Sequence, residues 1–178
     1  MRTLTLAIAA VLAALPAAAQ HGGHHAHGAQ GGASPYAGQQ SREIKALSDE
    51  ELKDLRAGAG MGFAKAAELN RYPGPSHALE LADRIQLTPQ QREQLAALMQ
   101  RHKAEARRMG EHVVSLEREL DALFARGKPT AAEVERLSVA IGDAQGRLRA
   151  EHLRTHLETT ALLTPAQIDR YAEARGYK

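Results

Sequence analysis

The sequence predicts an all-α chain organised around one long antiparallel helical hairpin, with shorter helices on its flanks. Three observations carry that expectation. Helix-start signatures recur along the chain, apolar residues keep a three-and-four spacing over two long stretches, and aromatic residues make up only 3% of the composition while alanine, leucine, glutamate and arginine are plentiful. A chain of 178 residues accommodates one ordinary domain with extensions. Lys and Arg number 23 against 21 Asp and Glu, a near balance that gives no polyanion-binding signature, so nucleic acid is not an expected partner.

Residues 1–19 read as a secretory signal peptide: Arg2 supplies the positive start, Leu4 and Leu15 bracket the apolar run, and Ala17-Ala18-Ala19 offers the small-residue cleavage site. The run is too short to span a bilayer and stops at Pro16, so no membrane insertion is expected after cleavage, and the predicted destination is the periplasm. The chain has no cysteine, which excludes disulfides and lipid-modified cysteine anchors. Residues 20–42 are rich in Gly, Ala, Gln and His and carry too little to bury, so they are expected to be disordered. His21, His24, His25 and His27 crowd this tail, which reads either as a transient trap for Zn, Cu or Ni or as a neutral solubilising segment.

A single helical domain is expected over residues 43–177. Ser48-Asp49-Glu50-Glu51 is a capping box opening a short helix that presents Leu52 and Leu55, with Ile44 and Leu47 before it. The glycines around Met61 then permit a break or a very close helix contact. A helical pattern resumes over residues 63–69 and stops at Tyr72-Pro73-Gly74-Pro75. Ser76 is placed to cap a further helix over residues 77–85, with Leu79, Leu81 and Ile85 making its contacts.

The hairpin follows. Its first arm opens at Leu87-Thr88-Pro89-Gln90-Gln91, where Thr88 caps, Pro89 suits the first helical position and Gln91 closes a capping box. Leu95, Leu98, His102, Ala106, Met109, Val113, Leu116, Leu120 and Leu123 form its seam. The second arm opens at Thr130 with Glu133 three residues on, and Val134, Leu137, Ile141, Ala144 and Leu148 answer the first. Folding about Lys128 sets Leu116 level with Ile141, Val113 with Ala144, and Met109 with Leu148. A last helix opens at Leu163-Thr164-Pro165-Ala166-Gln167, with Leu163 able to staple onto Ile168.

The same register sets His102 level with the gap between His152 and His156. Those two lie four apart and project from one helix face, a separation at which two imidazoles can hold one Zn²⁺. His102 could add a third ligand, with Glu105, Glu151 or water as the fourth, and His77 is a further candidate. The plain alternative is that two histidines fall four apart without function at the mouth of the bundle. Catalysis is not expected: no glutamate follows His152 as it would in a zinc peptidase, and no nucleophile has a recognisable setting.

Leu87-Thr88-x-x-Gln91 and Leu163-Thr164-x-x-Gln167, both at helix starts, resemble the signature of the CpxP/Spy superfamily of periplasmic proteins, which takes in ZraP-type zinc-associated proteins and CnrX-type metal sensors. Residues 60–77 and the ending Arg175-Gly176-Tyr177 resemble its periplasmic heavy-metal sensor and resistance branch. The resemblance implies a four-helix-type protomer in a cradle-like homodimer, without catalysis. It further implies either binding of a divalent transition metal to inform an inner-membrane sensor, or ATP-independent holding of unfolded clients. The sensors' mixed ligand set of histidine, glutamate and methionine is not reproduced here at recognisable spacing.

Overall fold

Four helix starts in this chain carry their own stop for the unpaired amides that every helix end exposes. The computed structural model describes residues 34–177; the expected signal peptide and His21, His24, His25 and His27 lie outside the described residues. Within the span assigned to the tail, a 3-10 turn occupies Gln39–Ser41. Among the described residues there are six α-helices and no strand: α1 (Asp49–Ala57), α2 (Lys65–Glu68), α3 (Pro75–Glu80), α4 (Pro89–Ala125), α5 (Ala131–Leu162) and α6 (Pro165–Arg175). Complete capping boxes open α1 at Ser48, α4 at Thr88, α5 at Thr130 and α6 at Thr164, each with both reciprocal bonds made.

The boxes of α4 and α6 are joined to each other. Gln91 Nε2 donates to Gln167 Oε1 at 2.9 Å, and Gln167 Nε2 donates to Gln91 Oε1 at 2.8 Å. Each amide nitrogen also donates to a backbone carbonyl, Gln91 to Leu162 and Gln167 to Gln86, while each amide oxygen accepts its own cap amide. Every hydrogen-bonding position of the two side chains is used, which is what lets Gln167 be buried. The two five-residue motifs thus act as one fastening between the start of α4 and the start of α6.

Two shorter elements depart from expectation. Helix α3 begins two residues earlier than a Ser76 cap would allow: Gly74 is the cap residue and makes no side-chain bond, because Pro75, with its fixed φ and no N–H, takes the first turn. Ser76 Oγ instead bonds Glu80 Oε1 at 3.2 Å. The helix ends at Glu80 rather than at Ile85, and turns lead on to Gln86, which has a positive φ. Likewise only Lys65–Glu68, a single turn, is helical within residues 63–69.

The long pair α4 and α5 lies in the expected register. Met109, Val113, Leu116, Ala144 and Leu148 share one apolar cluster with Ile44, Leu47, Leu52 and Leu55, and Arg136 of α5 bonds Glu119 of α4 at 2.9 Å. A second cluster gathers Ala78, Ala82, Ile85, Leu87, Leu95, Leu163 and Tyr171, with Ile168 packed on it beside Leu163 as the staple requires. Between the two clusters, the inward positions of both long helices turn polar: His102 on α4, and Glu151, His152, Thr155 and Thr159 on α5, all buried.

Helix α1 crosses α4 at backbone contact. A Cβ on Gly110 would stand 2.1 Å from the Leu55 carbonyl oxygen, and one on Gly58, the left-handed cap of α1, would stand 2.9 Å from the Arg107 amide nitrogen. That crossing delivers the following loop and α2 over the polar layer. Gly142 and Gly146 of α5 are exposed and would meet nothing with an added Cβ. Gly110→Ala is therefore expected to lower unfolding free energy by about 1–3 kcal/mol through overpacking. Gly142→Ala and Gly146→Ala should each raise it by about 0.5–1 kcal/mol, read from denaturant unfolding of the three variants.

Candidate metal centre

Facing arms, a crossing helix and a proline turn together place four histidines around one cleft. His102, His152, His156 and His77 line it with Glu68, Met61 and Met99, over a volume of about 600 Å³. His102 comes from α4, His152 and His156 from α5, and His77 from α3, while Glu68 is the last residue of α2. The expected meeting of His102 with the second arm is observed: its ring lies edge-on to that of His152, centroids 4.6 Å apart. Phe63 covers the same His152 ring at 5.4 Å.

The tautomers follow from what each ring nitrogen faces. His102 Nδ1 lies 2.9 Å from Thr155 Oγ1 and 3.3 Å from Glu151 Oε1. The Thr155 hydroxyl donates to the Glu151 carbonyl and the carboxylate only accepts, so His102 Nδ1 carries the proton and Nε2 keeps its lone pair. His156 Nδ1 donates to the Tyr72 carbonyl at 2.7 Å, which again leaves Nε2 as the free base. The His156 ring edge rests on Gly74, whose missing side chain makes the room: a Cβ there would stand 2.9 Å from His156 Nε2.

His152 is 4% exposed, and its Nε2 is buried with no hydrogen-bond partner. Burial first, then the neighbouring His102, His156 and Lys103, push its pKa down to about 4. The ring is therefore neutral at ordinary pH, the form that ligates metals. The only other buried side-chain atom without a partner among the described residues is Glu68 Oε2, which lies 3.7 Å from His156 Nδ1. Its sister oxygen accepts from the hydroxyls of Tyr171 at 2.5 Å and Tyr177 at 3.0 Å, and lies 3.5 Å from His77 Nδ1.

The cleft gathers the expected ligands without closing them on a point. Among the described residues, no three His, Asp or Glu side chains are already disposed about one ion position. Glu105 is not available to complete the set, because Arg108 on the same helix takes both of its oxygens, at 2.5 and 2.9 Å. Nor is Glu151, whose Oε1 lies 3.3 Å from His102 Nδ1 and whose Oε2 holds Arg154 at 2.9 Å, and which does not line the cleft. Sequence reasoning missed Glu68: it is one acid among 21 and sits on a single helical turn, so neither periodicity nor spacing marks it.

The residues fit a cation. Two residues that line the cleft each carry a buried atom without a hydrogen-bond partner, an imidazole nitrogen and a carboxylate oxygen, and the imidazole, carboxylate and thioether donors suit borderline divalent transition metals. Because His152 titrates lower folded than unfolded, the unfolded chain binds the extra proton first. Its contribution to stability is complete above about pH 6.5 and is lost as pH falls towards about 4, a difference on the order of 3 kcal/mol. Denaturant unfolding in the presence of chelator should show that slope, and His152→Leu should flatten it.

No helix among the described residues is long and apolar enough to cross a membrane. Searches of curated proteins and of solved structures give no match. The model of a family described as heavy-metal resistance, typically periplasmic and not a known enzyme family, matches residues 55–170. That span is more than half of the chain and contains all four cleft histidines with Glu68, so this chain belongs to the heavy-metal resistance family, within the CpxP/Spy-like helical proteins.

Proposed function

We propose that this chain is a periplasmic protein of heavy-metal sensing, buffering or resistance, which captures one divalent transition ion, Zn and otherwise Cu or Ni, in the histidine cleft. The observation that carries this reading is the pair of buried atoms without hydrogen-bond partners, His152 Nε2 and Glu68 Oε2, on two residues that line one cleft. His102 and His156 would ligate through Nε2, each held in the right tautomer by its partner at Nδ1, as metal-binding histidines require. His77 would stand at the rim, and the tail histidines His21, His24, His25 and His27 would concentrate the ion nearby. A bound ion would cross-link α2 and α5, which is the kind of change a membrane-embedded sensor could read. The working form is proposed to be a homodimer.

With the tail histidines replaced by alanine, the protein is expected to bind Zn²⁺ stoichiometrically in calorimetric titration. Saturation should raise its melting temperature, by the equivalent of about 2.7 kcal/mol at a hundredfold excess over Kd. His152→Ala combined with His156→Ala should abolish both effects. Retention of both in the double variant would remove this cleft as the site.

A second reading, ATP-independent holding of unfolded periplasmic clients, is favoured by one surface feature. Val139 and Leu157 stand more than half exposed on α5 and lie a whole number of turns apart, so they share one face. This reading predicts that the protein suppresses aggregation of an unrelated unfolding protein equally with and without chelator. It also predicts that Val139→Ser with Leu157→Ser removes that activity while Zn²⁺ uptake is retained; no suppression by the parent protein rejects it.

A further inference from the structure

Glu68 divides its carboxylate between two parts of the molecule. Its Oε1 belongs to the end of the chain: Tyr171 of α6 donates to it at 2.5 Å, Tyr177 at 3.0 Å, and Arg175 Nε stands 3.5 Å away with its guanidinium over the Tyr177 ring. Its Oε2 is buried beside the cleft that Glu68 lines, 3.7 Å from His156 Nδ1, and accepts no hydrogen bond. Residues 165–177 therefore reach the cleft in two ways, through Tyr177, which lines it, and through the Glu68 carboxylate. Without two donors on Oε1, a carboxylate on a single helical turn would swing its charge towards water, because an unpaired buried carboxylate oxygen is costly. The phenols hold it in place: Tyr171 is fully buried, Tyr177 is half-buried, and both hydroxyls donate to Oε1.

We propose that Tyr171 and Tyr177 are positioning residues that aim Glu68 Oε2 into the histidine cleft, so that cation capture and docking of the C-terminal helix reinforce each other. This inference rests on the cleft being the metal site. The coupling is reciprocal: whatever factor the docked helix adds to cation affinity, the bound cation adds to the docking equilibrium of the helix. The arrangement joins an event among α2, α3, α4 and α5 to the far end of the chain, and gives α6 a functional partner besides its apolar contacts and the Gln91–Gln167 fastening. A phenylalanine at either position keeps the ring and removes only the donor.

The test uses the full chain with the tail histidines replaced by alanine, and Zn²⁺ as the probe. In the protein with both tyrosines, Zn²⁺ is expected to slow amide hydrogen exchange across residues 165–177. In Tyr171→Phe/Tyr177→Phe, Zn²⁺ affinity should fall roughly 10- to 100-fold, as for other outer-shell partners of ligands, and the Zn²⁺-dependent slowing should shrink with it. Chelated samples should keep the parent's helical circular dichroism. Should the double variant fold poorly, Tyr177→Phe alone, at a half-buried position, is expected to lose a smaller part of the affinity. Unchanged or tighter Zn²⁺ binding in the phenylalanine variants, or exchange across residues 165–177 that ignores Zn²⁺, overturns the coupling. If Zn²⁺ is lost in His152→Ala/His156→Ala but not in the phenylalanine variants, only the coupling fails; if the parent takes up no Zn²⁺, the metal site fails with it.

Discussion

The antiparallel seam between α4 and α5 fixes the height at which every other feature meets. Once Val113 and Leu148 share a core with Leu52 and Leu55, a helix rise of about 1.5 Å per residue leaves no freedom in what stands opposite His102. It must be the turn of α5 that carries Glu151, His152 and Thr155, and those are the residues it touches. A slip of one turn along the seam would move the histidine by about 5.4 Å, out of reach of all three. Apolar packing of no chemical interest therefore sets the chemistry of the layer above it.

What the seam alone cannot do is roof that layer. The roof comes from α1 and the loop after it, and their position depends on two glycines that bring backbone onto backbone. Gly110 admits the Leu55 carbonyl, and Gly58 turns the chain in the left-handed conformation against Arg107. From there Phe63 covers His152, and α2 brings Glu68 beside His156. The floor at the other end is the Gln91–Gln167 pair, in which two capping boxes share one pair of amides. Capping is ordinarily a local device; here it also ties α4 to α6, and so sets where Tyr171 stands.

Local signals made much of this legible. All four capping boxes, the two long arms and the level of His102 could be read because each depends on residues three or four apart, or on a short turn with a well-marked seam on both sides. The cap of α3 was misread because Ser76 and Pro75 compete for the start of the same helix, and the proline's fixed φ prevails over the serine's hydrogen bond. Glu68 could not be read at all. Its partners, Tyr171 and Tyr177, are about a hundred residues away, and nothing in the sequence around residue 68 distinguishes it from a solvated acid. The hold on His156 was hidden from the sequence for a similar reason. Tyr72, which takes His156 Nδ1, arrives on a loop whose path depends on the glycine crossing and the proline turn rather than on any local pattern.

The polar layer is where the hairpin gives up stability. A pair of helices this long could have continued its apolar stripe through positions 102, 152 and 155, as it does on either side. Instead the chain buries two imidazoles, a carboxylate and two threonines between two apolar clusters. Most of these groups are compensated: His102 by Glu151 and Thr155, Thr155 and Thr159 by carbonyls of their own helix. His152 Nε2 and Glu68 Oε2 are not, and each such atom costs about 1–3 kcal/mol in a protein interior. One is a nitrogen of a neutral imidazole and the other a carboxylate oxygen, two kinds of atom that a divalent transition cation takes as ligands. The two apolar clusters provide the stability that allows such a layer to persist, and the chemistry of the uncompensated pair is what the family's association with heavy metals would require of it.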